Sequence, residues 1–109
     1  MSRLFITVEA RRLALVRPIG TVDRDMVNRL DSRLQPILAS GIRNVVLSFK
    51  RTSHIHFQAL GELIALHERL EAGGCQFRII GVSPYLEQIL AFGGIVGVIP
   101  ILSSVEEAT

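Results

Sequence analysis

One cysteine, one tyrosine and no tryptophan occur among 109 residues. A lone Cys75 cannot close an internal disulfide, so the chain is no disulfide-stapled secreted domain and fits a reducing cytoplasm. Aromatic residues make up only 6% of the sequence, too few to interleave with basic side chains as stacking platforms, which argues against nucleic acid as a partner. Charge of a single sign is lacking as well. Twelve basic and 10 acidic side chains leave a formal net charge of +2, and in "DRDMVNRLDSR" (23–33) the signs alternate as on a solvated helix face. No apolar run is long enough to span a bilayer. The richest, "ILAFGGIVGVIPIL" (89–102), is shorter than the roughly 20 residues required and is broken by glycines and a proline. The opening "MSRLFITVEARR" carries acid and arginine without an apolar h-region, so no secretory signal is expected. These absences leave a cytoplasmic protein with no direct membrane insertion.

What is present is apolar and ordered. With 49% apolar residues, the chain is expected to form one domain over residues 1–109, built on one core. "LFITVEA" (4–10) and "RLALVRPI" (12–19) read as a hairpin, with Pro18 at a strand end or edge because it lacks an amide hydrogen. Thr21 or Asp23 can cap a first helix whose stripe is Met26, Val27, Leu30, Leu34, Ile37 and Leu38, ending at Gly41. "NVVLSF" (44–49) reads as a buried strand. A second helix spans about Phe57 to Ala72, and "CQFRIIGV" (75–82) follows as a strand. A third helix, "SPYLEQILAF", is capped by Ser83 with Pro84 at its first position. "IVGVIPI" (95–101) reads as a last strand, and "SSVEEAT" opens a final helix through a capping box from Ser103 or Ser104. The order β-β-α-β-α-β-α-β-α predicts an α/β domain: a mixed, mostly parallel sheet of about five strands with about four helices.

The stretch "SHIHFQALGEL" (53–63) lies where such folds gather ligands and partners, at the carboxyl end of a strand and the start of a helix. His54 and His56 alternate around Ile55, so in an extended segment both face one side while Ile55 enters the core. A metal site needs further ligands. His67 lies well along the next helix, Cys75 begins another strand, and no HxxxH, CxxC or carboxylate cluster exists. A catalytic site needs a nucleophile beside an oriented base, and Ser48, Ser53 and Asp23 stand in no such motif. No catalytic residue, cofactor or metal is therefore expected. His56 would instead accept a helix-terminal amide hydrogen, and Phe57 is either tucked under a loop or presented as an interface anchor.

Taken together, the fragments resemble the STAS domains, the bacterial anti-sigma-factor antagonists and their relatives, from about Leu13 to Ala108. "GTVD" (20–23) resembles the family's "GELD", and "NVVLSF" its "VVLDLS". "HIHFQALGEL" stands in place of "IDSSGLGAL", with Ile55, Leu60, Gly61 and Leu63 kept. "GCQFRIIGVSP" and "VIPILSSVEEA" are similar to "GGRLVLVGVSP" and "LFPVYPSLEEA". The resemblance implies a single STAS-like domain and a non-enzymatic switch. In the family an unphosphorylated antagonist docks on an anti-sigma factor, often a serine kinase, and phosphorylation at the start of the second helix releases it.

The same positions here depart from the pattern. The acid of "DSSG" is His56, its serines are Phe57 and Gln58, its glycine is Ala59, and Ser48 replaces the acid of "VVLDLS". Asp23 alone keeps the family's polar identity. Glutamine has no hydroxyl, so the usual phosphoacceptor is gone; Thr52 and Ser53 are the nearby alternatives. The resemblance implies a partner surface over His54, His56, Phe57, Gln58, Ala59 and Asp23, facing an anti-sigma factor or a serine-kinase-like protein. Two other readings stay open. One is a structural subunit of a signalling scaffold or transporter-associated complex, as a homodimer or in a STAS-containing assembly. The other is a small ligand-binding or metal-dependent protein built on His54 and His56.

Overall fold

The computed structural model describes residues 2–108. Strand β1 (Arg3–Glu9) and strand β2 (Leu13–Val22) form the expected antiparallel hairpin, in register from Arg3–Ile19 to Glu9–Leu13. Helix α1 (Arg24–Ala39), strand β3 (Asn44–Ser48), strand β4 (Thr52–Ile55), helix α2 (Phe57–Ala72), strand β5 (Gln76–Ile80) and helix α3 (Pro84–Phe92) follow, and a 3₁₀ turn covers Val105–Ala108. The five-stranded mixed sheet runs β1-β2-β3-β5, with β4 beside β2.

Helix α1 forms as its stripe dictates. Met26, Val27, Leu30 and Leu34 are buried, and the Asp23 carboxylate, not Thr21, accepts the Met26 amide at 2.8 Å. Pro36 sits inside this helix, on its exposed side. One sheet face meets the helices in the main core, where Val16, Val45, Leu47, Phe77 and Ile79 meet Leu30, Leu34, Leu63, Leu66 and Leu90. On the other face a smaller cluster joins Leu13, Val46 and Ile80 to Leu102 and Val105 of the C-terminal segment.

Three expectations need correction. The run "IVGVIPI" is no strand: only Ile101 bridges to Ile79. Gly94 and Gly97 take φ of +77° and +90°, and Pro100 offers no donor, so the β-branched residues between them cannot extend a ladder. The fifth strand is instead β4, in a segment with the composition of a connection. The expected fourth helix is only a 3₁₀ turn; so short a segment does not repay helix nucleation. The Ser103 hydroxyl meets the Glu107 carboxylate, not the residue a capping box requires.

Length explains β4. Strand β2 has 10 residues, enough to serve two neighbours on one edge. Ala14–Val16 pair with β3, and Gly20–Val22 pair with β4 across a register shift after Gly20. Pro18, expected at a strand end or edge, lies instead inside β2, in the gap between the two pairings, where a missing amide hydrogen costs no ladder bond. Its carbonyl is taken by the Thr52 hydroxyl at 2.9 Å.

Candidate functional site

The parallel pairing of β2 with β4 brings two helix starts side by side. Val22 ends β2, and its carbonyl accepts the His56 amide at 2.8 Å. Asp23 then caps α1 and His56 stands at the N-cap of α2. The two caps differ. Asp23 accepts an amide hydrogen, whereas His56 makes no side-chain cap bond and no acid lies in the first turn of α2. The expectation that the His56 ring would accept an amide hydrogen is thus corrected: its side chain is exposed and lies edge-on to His54, with ring centroids 5.6 Å apart.

Along β4 the alternation places Ile55 in the core and leaves His54 half-buried. The His54 ring lies nearly parallel to Tyr85 of α3, centroids 5.9 Å apart, and its Nδ1 is 2.7 Å from the Tyr85 hydroxyl. At the first residue of α2 the backbone swings Phe57 outward. It is 68% exposed and meets Phe92, itself 84% exposed, edge-to-face at 6.4 Å. Between β4, α2 and α3 lies an open groove of about 490 Å³, lined by His54, His56, Phe57, Tyr85, Gln88 and Phe92 over a floor of Ile55, Leu60 and Ile89. No carboxylate, lysine or arginine lines it.

Not every expected site residue reaches this surface. Ala59 is fully buried in the main core, because the third residue of α2 turns inward toward the sheet; it cannot contact a partner. Thr52 is buried with its hydroxyl bonded to Pro18, which removes it as a phosphoacceptor. Ser53 is exposed, at the register shift that leaves it without a partner on β2. Asp23 is adjacent through the backbone, but its carboxylate serves the α1 cap and does not line the groove. Gln58 is exposed at the second position of α2. Sequence reasoning found Phe57 and the histidines and missed Tyr85, Gln88 and Phe92. The spacing of these three places them on one face of α3, and apolar residues outside the buried positions Leu86 and Leu90 were the available signal.

Among the described residues no group of three or more His, Cys, Asp or Glu is placed to hold a metal ion. His67, the third histidine, is buried in α2 against Phe77. The groove offers aromatic surface, two imidazoles and a helix start whose first amides have no side-chain acceptor. No helix among the described residues is long and apolar enough to cross a membrane.

A sequence model described as the STAS domain matches residues 5–108. No curated protein matches the sequence. Solved structures do. The unphosphorylated form of the anti-sigma factor antagonist SpoIIAA, a Bacillus protein, superposes with a TM-score of 0.78 at 16% identity over 96% of this chain and 92% of its own. An anti-sigma factor antagonist from Mycobacterium paratuberculosis gives 0.80 at 15% identity over 99% and 91%. A sulfate transporter family protein from Wolinella succinogenes gives 0.77 at 18% identity over 94% and 84%. At such identities the likeness shows a common fold.

Proposed function

This chain belongs to the STAS domain family, and from that premise we propose that it is a non-enzymatic docking module that binds an anti-sigma factor through the groove between α2 and α3. The observation that carries this reading is the exposed Phe57–Phe92 pair. Two large aromatic rings held in contact at the mouth of a groove without carboxylate, lysine or arginine are anchors of the kind that dominate protein interfaces. The solved antagonists of the same fold lend the partner class.

Docking here is not released by phosphorylation at the start of α2. Gln58 holds the position of the family's acceptor serine and has no hydroxyl to modify. Of the two nearby hydroxyls, only that of Ser53 reaches solvent. Control therefore lies with the partner, with its abundance, or with Ser53. The likeness to a sulfate transporter family protein favours a second reading, a subunit of a larger transporter-associated or scaffold assembly that uses the same groove.

The test is capture from native cells with wild-type protein and a Phe57→Asp variant as baits. An anti-sigma factor held by the first and lost by the second is the expected result. Transporter or scaffold proteins with the same dependence on Phe57 would establish the second reading. A partner indifferent to the substitution would overturn the groove as the docking surface.

A further inference from the structure

The two end strands of the run β1-β2-β3-β5 are treated differently. Beyond β5 the edge is covered: the Ile79 amide donates to Pro100 at 2.9 Å, and the Leu102 amide donates to Ile79 at 2.7 Å. Beyond β1 no strand pairs among the described residues. The orientation of that open edge follows from Pro18. Its carbonyl faces away from β1, toward Thr52, so its ladder partner Leu4 turns its own N–H and C=O outward. Ile6 and Val8 do the same, two and four residues on. Among the described residues, Arg33 of α1 reaches these groups, its guanidinium donating to the Leu4 carbonyl at 2.7 Å. Exposed edges are usually blunted by proline, a bulge or an inward charge. The strand "RLFITVE" has none of these within an unbroken ladder, and it exposes Phe5 and Val8.

The strand is also complementary to itself. Antiparallel pairing about a two-fold axis at Ile6 sets Arg3 against Glu9, Leu4 against Val8, Phe5 against Thr7 and Ile6 against Ile6. The outward backbone groups of Leu4, Ile6 and Val8 then face one another, as hydrogen-bonded pairs require. Opposite charges and an aromatic beside a β-branched residue are favourable cross-strand pairs. Neither Arg3 nor Glu9 has an ion-pair partner among the described residues. Slipping the register by two residues shortens the ladder and leaves both charges unmatched.

We propose that β1 is the contact through which two copies of this chain join into one continuous sheet. Each Arg33 sits beside Leu4, four residues along from Leu4 of the other copy, so the two guanidinium groups stay roughly 13 Å apart at about 3.3 Å per residue. That exceeds the screening length of about 8 Å at physiological salt. The Leu4 carbonyl has two lone pairs and can accept from both Arg33 and the second strand. No residue of β1 lines the groove at Phe57, so pairing leaves that surface free, and the inference stands apart from the docking reading.

Sedimentation equilibrium over a concentration series decides it, on the full chain with any tag at the C-terminus. Wild type is expected to reach twice its protomer mass reversibly. Arg3→Glu and Glu9→Arg each turn two attractive pairs into repulsive ones and should weaken the dimer by roughly ten-fold or more. The double variant Arg3→Glu/Glu9→Arg restores complementarity and should recover wild-type association. Ile6→Pro removes an outward amide hydrogen without touching the ladder to β2, and should give a folded monomer. A wild type that stays monomeric at every concentration, or a dimer equally strong in all the charge variants, would overturn the proposal. If Ile6→Pro fails to fold, the charge exchange by itself distinguishes pairing through β1 from pairing elsewhere.

Discussion

The His54 Nδ1 lies 2.7 Å from the Tyr85 hydroxyl, and this contact ties the short strand β4 to the first turn of α3 across the groove. Few other ties hold β4 on that side, since its ladder is with β2 alone. Replacing Tyr85 by Phe keeps the ring against His54 and removes only the hydrogen bond. Urea denaturation should show a loss of about 0.5–1 kcal/mol, the lower range for a net hydrogen bond, because the pair is partly solvated. Amide exchange should rise in residues 52–56 before it rises in β3. A uniform rise across the sheet would mean that the contact holds the whole domain and not β4 in particular.

Phe57 and Phe92 separate stability from binding. Both side chains are mostly exposed, so Phe57→Asp and Phe92→Asp should change folding stability by no more than about 0.5 kcal/mol. As anchors of a docking surface, each should cost about 2 kcal/mol or more of partner affinity, roughly thirty-fold. Thermal unfolding and titration calorimetry with the captured partner measure the two quantities separately. Loss of both together would mark the phenylalanines as structural.

How much of this was legible follows from where each signal is stored. Helices α1 and α3 were readable because stripe, cap and stop are local: Asp23 before Met26, and Ser83 before Pro84. Strand β4 was not, because "TSHI" pairs only by virtue of the length of β2, a fact stored thirty residues earlier. "IVGVIPI" misled in the opposite sense. Its β-branched residues favour a strand locally, while Gly97 and Pro100 deny it the continuous backbone a ladder needs. At the site, Phe57 stood out against the family pattern. Its neighbours Tyr85 and Phe92 are joined to it only by the fold, and Ala59 looked accessible until the helical turn placed it inward.

The hairpin turn holds unused stability. Ala10 and Arg11 both adopt positive φ, +52° and +55°, and the Arg12 amide returns to the Glu9 carbonyl at 3.0 Å. This is the sign pattern of a type I′ turn, which favours Asn-Gly. Left-handed backbone costs an ordinary residue about 1–2 kcal/mol. Ala10→Asn with Arg11→Gly relieves that strain, while the glycine gives back about 0.4–1 kcal/mol through the freer unfolded chain. A net gain of about 1 kcal/mol is expected, read as a higher denaturant midpoint at unchanged m-value. A lower midpoint would show that Ala10 and Arg11 are supported by contacts that offset the strain.

Gln58→Glu should push folding and docking in opposite directions. Gln58 occupies the second position of α2, at a helix start with no acid in its first turn and no side-chain cap. A carboxylate there meets amides without a side-chain acceptor and the positive end of the helix dipole, a gain of about 0.3–1 kcal/mol. For a domain of this size that raises the melting temperature by a few degrees. The groove beside it has no lysine or arginine to receive the new charge, and a partner closing over it must desolvate the carboxylate. Affinity should fall by about ten-fold while stability rises. Differential scanning calorimetry and binding of the same preparation test the two signs. A stabilised variant that binds as well as wild type would place Gln58 outside the interface and leave Phe57 and Phe92 to define it.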